Sequence, residues 1–177
     1  MDRRMILTEK GLTDYLREWL SHHKVVAHYY YFGWESDILV LTNSGLLWEI
    51  EIKTSRRDFY NDFHKLVQFR IFNNQRDTNQ YKHGLLKKVW NGLEHPNDRQ
   101  EVPNRFFFAI PDGVIEPNDV PEYAGLITFR KYGAFVQRKL APILHKDNVI
   151  NYERLFNKLY FETSWMRKEV RRKYSKF

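Results

Sequence analysis

Residues 48–55 read WEIEIKTS. Side chains alternate across an extended strand, so Trp48, Ile50 and Ile52 share one face while Glu49, Glu51 and Lys53 share the other. Two carboxylates and an ammonium in line on one strand face are a chemical statement as much as a structural one. The strand stops at Thr54-Ser55, where Ser55 and Asp58 have the spacing of a helix N-cap with its reciprocal acid.

Working outward, "SDILVLT" (36–42) is apolar and β-branched enough for a partner strand, and "TNSG" (42–45) supplies a turn with Asn and Gly. A β-hairpin follows. "KVVAHYYYF" (24–32) predicts a third strand ahead of it, interrupted at Gly33. Upstream, Leu12, Tyr15, Leu16, Trp19 and Leu20 recur at helical spacing. Downstream, residues 55–72 predict a helix with Phe59, Phe63 and Leu66 inward. A polar stretch from Asn73 to Asn104 follows. Leu85, Leu86, Val89, Trp90 and Leu93 suggest a short helix inside it, and a structureless insert of that length would be unusual. It reads as an ordered embellishment on the substrate side. "RFFFAI" (105–110), "VPEYAGLITFR" (120–130) and "GAFVQRKLA" (133–141) predict three more strands. A closing helix over about 150–177 would turn Tyr152, Leu155, Phe156 and Leu159 inward. The expected fold class is α/β, a mixed β-sheet core flanked by helices, in one domain over residues 1–177.

The hairpin brings Asp37, at the start of one strand, beside Glu51 at the end of the next. Two carboxylates there suit a hard divalent cation, Mg²⁺ or Mn²⁺, with the Ile52 backbone carbonyl as a further oxygen donor. Lys53 lies on the same face and can steady a nucleophile or a phosphate in the transition state. Metal plus lysine is the equipment of phosphodiester hydrolysis. Glu9, on the border of the first helix's inward face, is a candidate fourth ligand. Glu35 is a spare one, and Glu49 is either a supporting group or solvated. Arg56 and Arg57 open the second helix, a place to meet phosphate.

These residues carry a resemblance. "SD…EIEIK" looks like the PD-(D/E)XK nuclease motif. "EIKTSRRDFYNDFHK" (51–65) is similar to the E-[IV]-K-x-S-x-x-D-F-x-x-D-x-K block of MmcB-like DNA repair nucleases. "PNRFFFAIPDGVIEPNDVPEYAGLITF" (103–129) resembles that family's second block. The resemblance spans roughly Gly33 to Phe129. It implies a restriction-endonuclease-like core of α-β-β-β-α-β-β order, a Mg²⁺ or Mn²⁺ site and a DNA substrate. Repair, recombination and phage DNA processing are the settings it suggests. Asp62 and Lys65 match the first block, and three apart on one helix face they either form an i,i+3 ion pair or leave Lys65 to reach DNA; Lys82 and His83 stand for the family's basic Lys-His stretch. A DNA-binding module that does not cut, a Holliday-junction-type nuclease and an RNA-directed nuclease stay open, as does a homodimer.

Composition narrows the alternatives. The chain has 177 residues, no cysteine and a net charge of +7. Without cysteine there are no disulfides and no thiolate zinc site, which fits a cytoplasmic protein, or the host cytoplasm if phage-encoded. No apolar run is long enough for a transmembrane helix. No H-x-x-x-H pair, Walker-A loop, dinucleotide fingerprint or nucleophile elbow occurs. The last eleven residues, RKEVRRKYSKF, carry +5 of the +7. Arg167, Lys168, Arg171 and Arg172 repeat at helical spacing and predict a stripe that meets backbone phosphates. Removing residues 167–177 is therefore expected to flatten the salt dependence of DNA binding. The slope changes by about 0.9 per lost contact, over roughly two to four contacts. Titrations across a salt series read it, and identical slopes would identify the tail as a solvated helix end.

Overall fold

The computed structural model describes residues 9–66, 81–95, 102–130, 134–147, 150–157, 159–161 and 164. Six strands form one sheet in sequence order. They are β1 (Lys24–Tyr30), β2 (Glu35–Leu41), β3 (Leu47–Ile52), β4 (Arg105–Pro111), β5 (Ala124–Phe129) and β6 (Phe135–Lys139), with helices α1 (Glu9–Trp19), α2 (Arg56–Asp62) and α3 (Lys82–Trp90). β1, β2 and β3 run antiparallel. β3, β4 and β5 are parallel, and β6 returns antiparallel to β5. The chain between the parallel β3 and β4 holds α2 and α3, in keeping with the need of parallel neighbours for a long connection. The mixed α/β architecture expected from the sequence is therefore present. None of the described residues form a helix long and apolar enough to cross a bilayer.

Alternation in β3 sorts the core into two layers. Ile50 and Ile52 pack with Ile38, Phe107 and Ala109 beneath Leu12, Leu16 and Leu20 of the first helical segment. On the opposite face, Leu39, Leu47, Phe106 and Phe108 meet Phe59 of α2 and Leu85, Leu86 and Val89 of α3. Ser55 caps α2 by accepting from the Asp58 N–H at 3.1 Å, and Asp58 accepts from the Thr54 N–H rather than that of Ser55. In β5, Gly125 is required by packing. A Cβ there would fall 2.4 Å from Phe107 Cδ1 and 2.6 Å from the Ala141 backbone nitrogen.

Several expectations are corrected. Helix α2 ends at Asp62 instead of running to 72, because Leu66 leaves the apolar stripe and bridges Tyr81 in extended pairing. Residues 67–72 lie outside the described residues. Tyr15 and Trp19 stand at the border of α1 and are exposed, leaving Leu12 and Leu16 as its buried apolar contacts. Of the four inward residues expected in the last helix, Leu155 is buried and Tyr152, Phe156 and Leu159 are exposed. The stretch 73–104 is not wholly an outlying embellishment: α3 carries Leu85, Leu86 and Val89 into the core. Leu86→Ala is accordingly expected to destabilise the protein by about 2–4 kcal/mol in urea denaturation. Excision of 73–104 should leave no cooperative unfolding transition.

Candidate metal centre and buried charge network

The charged face of β3 is interior. Glu49 and Glu51 are both 0% exposed, because α2 and α3 cover the face that an isolated hairpin would leave wet. Burying a carboxylate demands partners. Glu51 Oε1 is met by Lys53 Nζ at 2.8 Å and by Lys65 Nζ, and Glu51 Oε2 by Lys82 Nζ at 2.8 Å. Lys82 Nζ also lies 2.8 Å from Glu49 Oε1, which accepts from Trp34 Nε1 at 2.7 Å. The rings of Phe106 and Trp34 face the Lys82 ammonium at 4.8 and 5.6 Å.

Asp62, at the end of α2, extends the network. Its Oδ1 lies 2.7 Å from Lys53 Nζ and 3.0 Å from Lys65 Nζ, and its Oδ2 lies 2.7 Å from His83 Nε2. His83 Nδ1 is 2.9 Å from the Tyr123 hydroxyl. Burial opposes ionisation of Asp62, but the His83 hydrogen bond and the Lys82 and Lys53 charges outweigh it and hold the carboxyl far below its usual range. Burial likewise works against the Glu51 carboxylate, and the lysines, Lys82 foremost, prevail and lower its pKa. In Glu49 burial wins and raises the pKa; its Oε2 has no hydrogen-bond partner.

Asp37 stands at the open end of this face. The β2–β3 register sets Ile38 against Ile50 and Leu39 against Glu49, and one further step faces Asp37 toward Glu51. Asp37 Oδ2 accepts from the Ile52 N–H at 2.7 Å. Burial, then the Glu51 charge, pushes the Asp37 carboxyl up to about 7. Glu9 and His28 come to it from α1 and β1: one ligand atom of each of Glu9, His28 and Asp37 lies within 4.8 Å of the others.

This donor set fits a divalent cation. Two carboxylates and an imidazole converge, and the Asp37 pKa is raised first by burial and then by the Glu51 charge, the second of which a cation would offset. Glu51 differs from the simple expectation, since both its oxygens already face ammonium groups. Glu35 is exposed and 3.9 Å from His28 Nδ1. Arg56 and Arg57 are exposed at the start of α2, with Arg56 3.6 Å from Asp119 Oδ2. Lys65 is part-exposed and points inward. Lys82, expected to meet nucleic acid, is wholly buried between Glu49 and Glu51, so direct phosphate contact is closed to it. Arg167, Lys168, Arg171 and Arg172 lie outside the described residues.

Sequence reasoning missed His28 and the role of His83. The His residues show no ligand spacing along the chain, yet β1 pairing sets His28 beside β2, at a positive φ of 50° uncommon outside glycine. The one legible signal for His83 was its adjacency to Lys82 in the family-like stretch.

No family model matches the chain, and no curated protein is similar to it. Among solved structures, a protein of unknown function from Silicibacter pomeroyi has a similar fold. The two are 19% identical, with a TM-score of 0.51 over 93% of this chain and 87% of that one. The likeness is one of fold.

The Asp37 shift has a defined sign. Its pKa rises from an ordinary 3.8 to about 7 on folding, so between those values the native state binds more protons than the unfolded chain. Stability through this group therefore falls as pH rises from about 4 to about 7. Asp37→Asn removes the effect while an amide oxygen can still accept from Ile52. Without divalent cations, the variant is expected to gain on the order of 2 kcal/mol over wild type between pH 4.5 and 8, by urea denaturation. His83, held low by burial, titrates in both forms and cancels in the difference. A difference that does not change with pH would contradict the shift.

Proposed function

We propose that the chain is a metal-dependent nuclease of the PD-(D/E)XK type acting on DNA, with a restriction-endonuclease-like sheet order. One observation carries the reading. Asp37 and Glu51 stand on adjacent strands at the same end of a mixed sheet, with Lys53 Nζ 2.8 Å from Glu51. The sequence blocks around these residues and the net charge of +7 agree with it.

Asp37, Glu51, the Ile52 carbonyl and Glu9 would hold Mg²⁺ or Mn²⁺, with His28 in reach of the same position. A bound divalent cation would supply Lewis acidity and neutralise charge on a phosphodiester. The protein's own groups do the rest. Lys53 is clamped between Glu51 and Asp62, so its ammonium is fixed before substrate arrives, as preorganised electrostatic catalysis requires. His83 and Tyr123 hold Asp62 from behind. Arg56 and Arg57 offer exposed guanidinium groups to the phosphate backbone.

A second reading is a DNA-binding module on the same fold that does not cut. It is favoured by the ammonium contacts on both Glu51 oxygens, which balance that carboxylate without a metal. Incubation with linear, circular and branched DNA in Mg²⁺, Mn²⁺ or EDTA separates the two. The nuclease reading expects cleavage that needs the cation. It also expects losses of roughly a hundredfold or more in Asp37→Asn, Glu51→Gln and Lys53→Met, with DNA binding kept in Asp37→Asn. Full cleavage by Glu51→Gln, purified free of host nuclease, would refute the site, and binding without cleavage in every cation would favour the module.

A further inference from the structure

Three ammonium groups surround Glu51, and they are not equivalent. Lys82 is fully buried, sealed by Glu49, Trp34 and Phe106. The Lys53 side chain is 5% exposed. The Lys65 side chain is 43% exposed, and its ammonium reaches inward to Glu51 Oε1 and to Asp62 Oδ1, at 3.0 Å from the latter. Lys53 already serves both of those oxygens, at 2.8 and 2.7 Å. Withdrawal of Lys65 would thus leave neither acid unpaired, whereas withdrawal of Lys82 would strand Glu49 and one oxygen of Glu51 in the core.

A divalent cation approaching Asp37 and Glu51 meets this cluster of like charge, and the repulsion in a partly buried setting is substantial. The group that can relieve it is the one with a route to solvent. Lysine suits the task, as a compact charge on a long flexible stem. We infer that Lys65 is an exchangeable counter-ion, its ammonium holding the place of metal charge beside Glu51 until a divalent cation displaces it toward a substrate phosphate. This rests on the reading of Asp37 and Glu51 as the metal site and adds a role that reading does not contain. Lys65 then couples the two ligands: phosphate that captures it strengthens cation binding, and the cation strengthens phosphate binding by the same factor.

The test is Mn²⁺ binding to the full chain without nucleic acid, by calorimetry and by the Mn²⁺ electron paramagnetic resonance signal. Wild type, Lys65→Gln, Lys65→Arg and Asp37→Asn are compared. Lys65→Gln is expected to bind Mn²⁺ roughly tenfold more tightly than wild type, and Lys65→Arg about as wild type. Thermal unfolding checks each form, and Lys65→Met replaces the glutamine variant if that one is misfolded. Equal or weaker binding by the neutral variant, with Asp37→Asn still lowering affinity, overturns the exchange and leaves the metal site standing. No Mn²⁺ binding by any form, or binding untouched by Asp37→Asn, overturns both.

Discussion

The Glu51 carboxylate, enclosed in the core among three lysines, is the constraint around which the molecule is arranged. A buried charge is tolerated only when its partners are close and well oriented, and loss of one partner is far more damaging than loss of a surface ion pair. Here the partners come from different elements. Lys53 follows β3, Lys65 lies just beyond α2 and Lys82 begins α3, while Asp62 at the end of α2 shares Lys53 and Lys65 with Glu51. The network therefore ties the helical layer to the sheet through ion pairs as well as through apolar packing. That β3 must also carry Ile50 and Ile52 under α1 leaves its alternation no freedom.

The two layers have different chemical characters. Under α1 the interface is aliphatic and non-directional, built on Leu12, Leu16 and Ile50. Under α2 and α3 it mixes phenylalanine rings with charge, and His83 stacks on Phe108 at 5.6 Å. The candidate metal position lies where these layers open, at the entry to β2. Glu9 and His28 reach Asp37 there from elements that do not contribute to the buried ring. One end of the constellation is thus buried, and the other is more exposed. The proposed nuclease activity would use that division, with fixed charges staying in place while a long substrate comes and goes.

Much of this was legible in the chain. Period-two alternation in 48–53, the TNSG turn and the cysteine-free, basic composition pointed to a hairpin, its acid-acid-lysine face and a mixed α/β core. Each of those signals is local: alternation, turn chemistry and charge count depend on neighbours a few residues apart. What could not be read is which faces become interior. Glu49 stayed open between a supporting group and a solvated one, and Lys82 looked available to phosphate, because a charged residue is ordinarily exposed. Their burial follows from α3 folding across β3 and β4, a relation between residues some thirty positions apart. Helix α3 joined the core, although its surroundings read as an insert, for the same reason. His28 became a neighbour of Asp37 through strand pairing, and its own flanking residues carry no trace of that. Local pattern thus pointed to the strands and to the hairpin that sets Asp37 near Glu51. The dry environment that shifts Asp37, gathers the lysines on Glu51 and separates Lys65 from the other two arose from how the layers close over one another.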